Sequence, residues 1–221
     1  MSKTTNILMV GIGGQGTLTM MEMLAMAAEE ADEEVRVLSR VSLARLGGSG
    51  MCHVRLGPSI SPAIPVGEAD ILLSLEMSEV LRALPMAHRG ALAFINTYCR
   101  LPIAAGVAGI HYPTQAEIEV ALNEVGVTAV FVPEILPSST SEAEEEQPGD
   151  SRINIIMLGV LSGYTQLLPR SALEHSITSR LPRFVEQNLR AFSAGWGYAE
   201  SLKAQILLDN AQKLRYHTSR Q

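Results

Sequence analysis

A chain of 221 residues that is 47% hydrophobic and 18% charged can bury one sizeable core and reads as a globular domain. Its formal net charge of -6, with no basic stripe, excludes nucleic acid as the main partner, because phosphate binding needs clustered Lys and Arg. No apolar stretch reaches the roughly 20 residues of a membrane span and Met1 to Thr5 opens no signal peptide, so the expectation is a cytoplasmic protein that does not meet the membrane.

The first predicted strand, Ile7–Val10, runs into Gly11-Ile12-Gly13-Gly14-Gln15-Gly16 and then into a predicted helix over Thr17–Glu30. Gly11, Gly13 and Gly16 fit G-x-G-x-x-G, whose glycines permit a tight turn and let a diphosphate approach backbone N–H groups at a helix N-terminus. Glycines at a strand-to-helix turn also serve close packing, so a nucleotide-like ligand and a purely structural turn both stay open. Met20, Met21, Met23 and Met26 on the helix are read as core or subunit-contact residues, since Met fills irregular apolar gaps.

The second strand, Val35–Ser39, ends in Leu38-Ser39-Arg40. An NAD site of the Rossmann type places an Asp or Glu here for the ribose 2′-hydroxyl, and that acid is missing. Arg40 is either the partner of an extra phosphate, as in NADP or the 3′-phosphate of coenzyme A, or a surface cation. A second glycine turn, Gly47-Gly48-Ser49-Gly50, precedes the strand Met51–Leu56. Alternation puts Cys52, Val54 and Leu56 on one side and Met51, His53 and Arg55 on the other. His53 and Arg55 either flank a site or are a hydrogen-bonded strand histidine and a solvated arginine.

Further strands are predicted at Ile71–Leu75, Leu92–Asn96 and Thr128–Val132, with helices at Met77–Leu84 and at Gln115–Val125, the latter capped by Thr114. Alternating strands and helices predict an α/β fold, doubly wound with a mostly parallel sheet and a C-terminal helical segment. Glu68, Asp70, Glu76 and Glu79 lie at element borders, where capping and solvation account for them. Residues 138–151 read as an acidic mobile loop. Helices follow at Ile153–Leu167, at Ser171–Arg180 with Ser171 as cap, and from Arg183. A helical tail over residues 196–221 carries an apolar face of Leu202, Ile206, Leu207 and Leu214 that docks on the domain or on another chain, a second copy included. No linker divides the chain, so one domain is expected. Cys52 and Cys99 form no CxxC, so the chain cannot by itself supply an iron–sulfur cluster or a four-cysteine zinc site, and two buried free thiols are expected. No carboxylate pair, Ser-His-Asp set or metal-ligand spacing accompanies the glycine turns, so no catalytic residue is assigned to this chain alone.

The loop Gly11-Ile12-Gly13-Gly14-Gln15-Gly16, the turn Gly47-Gly48-Ser49 followed by His53-Val54-Arg55-Leu56-Gly57, and the run Ile64 to Leu73 resemble the gamma-type domain of 2-oxoacid:ferredoxin oxidoreductases, most of all the small subunit of indolepyruvate-type enzymes. Ile95-Asn96-Thr97, Tyr112-Pro113, Asn154 to Gly159 and Asn188 to Phe192 continue the resemblance, which covers roughly residues 5 to 195. It implies an accessory subunit, inactive alone, of an enzyme that oxidatively decarboxylates a 2-oxoacid to an acyl-coenzyme A and passes electrons to ferredoxin. Thiamine diphosphate, Mg and the iron–sulfur clusters are then expected on a partner chain, with coenzyme A as co-substrate. The resemblance implies Gly13, Gly14, Gln15 and Gly16 as cofactor-binding residues, to which the pattern adds Gly11 and the end of the second strand adds Arg40; Arg45, Gly47, Gly48, Ser49 and His53 are expected on the substrate side. One departure stands out. Where the family carries His-Gly-Met-(Ser/Ala)-Gln-Arg, this chain has Val41-Ser42-Leu43-Ala44-Arg45-Leu46. The alternatives are an autonomous NADP-binding oxidoreductase and a regulatory or scaffold descendant of the subunit.

Overall fold

The computed structural model describes residues 3–41, 49–97, 111–135 and 152–218. Its strands are β1 (Thr5–Ile12), β2 (Val35–Val41), β3 (Ser49–Leu56), β4 (Ala69–Ser74), β5 (Ala87–Asn96) and β6 (Thr128–Val132). Its helices are α1 (Thr17–Glu30), α2 (Glu79–Ala83), α3 (Gln115–Glu124), α4 (Ile153–Thr165), α5 (Arg170–Arg180) and α6 (Val185–Thr218).

The strands form one sheet in the order β2-β3-β1-β4-β5-β6. β1, β4, β5 and β6 are parallel. β3 is antiparallel to both β1 and β2, so every strand but β3 ends at the same edge. A parallel sheet must bury both faces, which is why β1 is apolar at consecutive positions. Ile7 and Met9 join the core on one face, while Leu8 and Val10 join the core on the other.

Helices cover both faces, as the strand and helix alternation predicts. On the first, α1 buries Met20, Met21, Met23, Leu24, Ala27 and Ala28 at helical spacing, and Met26 is half-buried, so the methionine cluster serves the core. Behind it lies α4, apolar around its whole circumference and buried from Ile155 to Gly163. Such a helix needs neighbours on every side, and α6 supplies the outer one. On the second face, Val80 and Ala83 of α2 and Ile118 and Leu122 of α3 close a smaller core over Leu8, Leu72, Ala93 and Ile95.

Thr114 caps α3 as expected. Its hydroxyl accepts from the Glu117 N–H at 3.3 Å, and the Glu117 carboxylate takes the Thr114 N–H at 2.7 Å. Those bonds to Thr114, backbone first and hydroxyl second, with His111 adding to them, hold the Glu117 carboxyl down at about 2.

Three boundaries differ from the sequence reading. Ser171 does not cap α5, which starts at Arg170 directly after Pro169. The predicted short helix at Met77 narrows to Glu79–Ala83 and continues as a 3-10 turn over Leu84–Met86. The segments expected at Arg183 and in the tail are one continuous helix of 34 residues. Among the described residues no helix is both long and apolar enough to cross a membrane. Cys52 is buried and free, and burial pushes its thiol pKa up. Cys99 and the acidic residues 138–151 lie outside the described residues.

Candidate functional site

After β1 the chain turns through α1 toward β2, whereas after β4 it proceeds to β5 and β6. The carboxyl ends of β1 and β4 are therefore a topological switch point, the place where open α/β sheets leave a crevice for ligands. The glycine loop sits there.

Within the loop, Gly14 has φ 93° and Gly16 has φ 85°, a left-handed conformation costly for a side-chain-bearing residue. Gly16 is the N-cap of α1, which has no side-chain cap and no acidic residue in its first turn. Its neighbour α4, capped by Arg152, likewise has neither. The two helix ends touch: a Cβ on Gly16 would lie 2.5 Å from Asn154 Nδ2. Free N–H groups and the aligned peptide dipoles give such an end a partial positive charge suited to an anion.

Gln15 faces inward. Its amide oxygen accepts the Ile12 N–H at 2.7 Å, and its Nε2 donates to the Leu75 carbonyl at 3.3 Å. These bonds tie the loop to the end of β4. Gly11 is close-packed for the same reason, because a Cβ there would meet Gln15 Oε1 at 2.9 Å and Leu75 Cβ at 3.2 Å. Gly13 is half-buried in the loop.

The remaining predicted residues are spread more widely. Arg40 is exposed, pairs with Met51 across β2 and β3, and lies at the same edge. The inserted β3 nevertheless sets β2 two strand spacings, about 10 Å, from β1. A Rossmann site instead has the second strand beside the first. His53 is buried in the middle of β3, opposite Leu8 of β1. Its Nδ1 accepts the Ile64 N–H at 3.2 Å, and its Nε2 has no hydrogen-bond partner. Burial first, and the charge of Arg40 second, lower its pKa. Arg55 points to the far edge, bonded to Asn6 Oδ1 at 2.9 Å and the Ser61 carbonyl at 3.0 Å. Neither residue is brought to the loop. Ser49 is, at the start of β3. Arg45, Gly47 and Gly48 lie outside the described residues.

Two carboxylates read from sequence as capping and solvated are different in structure. Glu76 is fully buried and Glu79 is 8% exposed, both beside the glycine loop just after β4. Glu76 does cap α2, accepting the N–H of Ser78 at 2.9 Å and of Glu79 at 3.2 Å. It also takes the Tyr112 hydroxyl. Periodicity could not separate such acids from surface ones; the only sequence hint is their place between a buried strand and a short helix. Among the described residues no group of three or more His, Cys, Asp or Glu is placed to hold a metal ion.

The residues present fit a phosphate held by backbone N–H groups of the loop and α1, with Asn154 alongside. A family model described as pyruvate ferredoxin/flavodoxin oxidoreductase matches residues 6–198. The chain is 32% identical over 198 residues to the indolepyruvate oxidoreductase subunit IorB of Archaeoglobus fulgidus, covering 89% of this chain and 96% of that one. It is 31% identical over 197 residues to the IorB of Pyrococcus horikoshii, covering 87% and 95%. In fold it is similar to the gamma subunit of a keto/oxoacid ferredoxin oxidoreductase from Geobacter sulfurreducens, with a TM-score of 0.61, 21% identity and coverage of 89% and 99%. It is also similar to part of the 2-oxoglutarate:ferredoxin oxidoreductase of Magnetococcus marinus, solved with 2-oxoglutarate, coenzyme A and succinyl-CoA bound. There the TM-score is 0.65 at 19% identity, covering 91% of this chain and 32% of that one.

Proposed function

The chain belongs to the pyruvate ferredoxin/flavodoxin oxidoreductase family, and from that premise we propose that it is the accessory, gamma-type subunit of a 2-oxoacid:ferredoxin oxidoreductase. The observation that carries this reading is the near full-length likeness to indolepyruvate oxidoreductase subunits, which spans 89% of this chain and 96% of the relative. The likeness is thus to a whole subunit.

The proposed reaction splits carbon dioxide from a 2-oxoacid, joins the remaining acyl group to the sulfur of coenzyme A and delivers two electrons to ferredoxin. Thiamine diphosphate with Mg, and the iron–sulfur clusters, supply the carbanion-stabilising and electron-carrying chemistry when bound on the partner subunit. Gly13, Gly14 and Gly16 offer backbone N–H groups to a phosphate of coenzyme A at the α1 terminus. Gln15 keeps those donors aimed by fixing the loop to β4. Ser49 is assigned to the substrate side. Under this reading the partners are the catalytic thiamine and iron–sulfur subunit and, through it, ferredoxin, all in the cytoplasm.

The test is purification with the native partners, followed by ferredoxin reduction with indolepyruvate, pyruvate or 2-oxoglutarate in the presence of coenzyme A. Oxoacid-dependent reduction is expected from the complex and none from the chain alone. A chain that stays monomeric beside its partners would overturn the reading. NADPH titration of the isolated chain addresses the other reading. The antiparallel β3 between β1 and β2 speaks against NADP, and no binding is expected.

A further inference from the structure

The stretch from Leu75 to Glu79 is bonded to three chain connections at the glycine-loop edge. The Leu75 carbonyl accepts from Gln15 Nε2 at 3.3 Å, in the loop after β1, and from Asn96 Nδ2 at 3.0 Å, at the end of β5. Glu76 accepts the Tyr112 hydroxyl, just before α3. Glu79 Oε2 accepts the Ser49 hydroxyl at 2.5 Å, at the start of β3, and faces Arg82 Nε at 3.4 Å.

Two buried carboxylates beside a place suited to an anion are costly unless donors engage them. Here Ser78, the Glu79 N–H and Arg82 supply local donors, while Tyr112 and Ser49 supply one donor each from elsewhere in the chain. A hydrogen bond to a buried carboxyl oxygen fixes its donor well, because losing it would leave a buried acceptor unsatisfied. We infer that Glu76 and Glu79 are positioning residues, which hold Tyr112, just before α3, and Ser49, at the start of β3, in place at the glycine-loop edge. For the reaction itself the inference rests on the subunit reading given above.

The test combines turnover of the assembled complex with amide hydrogen exchange of the full chain. Glu79→Ala and Ser49→Ala are expected to lower kcat by about 10- to 100-fold, the scale of a misplaced reacting group. Glu79→Gln retains an oxygen that accepts from Ser49 and is expected to restore most of the rate. The double variant Ser49→Ala/Glu79→Ala should be no worse than the poorer single one, as for two residues acting through one bond. In the full chain, both alanine variants should speed exchange at Gly50 and Met51 while β4 and β5 keep wild-type rates. Tyr112→Phe should do the same at the backbone amide of residue 112. Unchanged exchange at these amides, or additive losses in the double variant, would overturn the inference. A wild-type complex with no oxoacid-dependent ferredoxin reduction would instead remove the proposed function, and the exchange rates would still decide the positioning role.

Discussion

Gly195 of α6 and Ile156 of α4 approach so closely that a Cβ on Gly195 would overlap the Ile156 carbonyl oxygen and lie 2.9 Å from its carbon. Gly159 is matched to Phe192 and Trp196 in the same way. The two helices cross backbone to backbone, which only glycine allows. Gly195→Ala is therefore expected to lower stability by about 1–3 kcal/mol through overpacking. Gly197→Ala, with nothing within 4 Å of its Cβ, should be neutral or gain up to about 1 kcal/mol from helix propensity. Urea midpoints of the two variants check the contrast.

Gly14 and Gly16 separate backbone strain from steric contact. Both have positive φ, so alanine at either should cost about 1–2 kcal/mol. At Gly14 the new Cβ meets nothing, whereas at Gly16 it displaces Asn154. In the assembled complex, the KM for coenzyme A should rise more for Gly16→Ala than for Gly14→Ala, at similar losses in thermal midpoint.

Gln15→Leu would leave the Ile12 N–H without its acceptor and is expected to cost about 1–3 kcal/mol, the penalty of an unsatisfied inward-facing group. Gln15→Glu preserves that acceptor, so its stability loss should be smaller. Its negative charge would compete with a phosphate for the same positive helix end, and the KM for coenzyme A should rise. Equal KM values for Gln15→Glu and the wild type would count against a phosphate at this loop.

His53 makes stability depend on pH. Its folded-state pKa lies below the ordinary value of 6.5 because burial and Arg40 disfavour the cation. The unfolded chain thus binds more protons in the interval between the two values, so the contribution is full above 6.5 and is lost as pH falls toward the folded value. Protonation also removes the acceptor for the Ile64 N–H. Urea midpoints at pH 7.5 and 5.5 should differ in the wild type, and the difference should shrink in His53→Gln.

Much of the fold is legible because local chemistry and global fold agree. Thr114 and Glu117 form a capping box whose spacing is written in the sequence, and consecutive apolar residues at Ile7–Val10 announce a strand buried on both faces. The misreadings have physical causes. Gly195 and Gly197 punctuate a helical pattern and suggest a break, yet Gly195 is required by the Ile156 backbone. Ser171 is a preferred cap residue, but Pro169 is the last extended residue and α5 begins immediately after it. The reversal of β3 leaves no local trace, since alternation gives a strand its faces and not its direction, and it is what sets Arg40 of β2 two strands from β1. At the glycine-loop edge, the pattern places Gly11 to Gly16 at the strand-to-helix turn and Ser49 at the start of β3, where the structure has them. Gln15 was identified, but the inward direction of its amide was not, and the burial of Glu76 and Glu79 depends on tertiary packing.

The reversed strand also bears on how the protein can change over generations. Val41 pairs with Gly50, so residues 42–48 are bracketed by two strand ends already locked in register at the ligand edge. A segment anchored in this way can exchange its sequence without shifting the sheet beneath it. Of the departing segment Val41 to Leu46, Val41 is the last residue of β2 and Ser42 to Leu46 fall within that bracket. Sequence change between Ser42 and Gly48 is therefore expected to leave the register of β2 on β3, and the sheet built on it, unchanged.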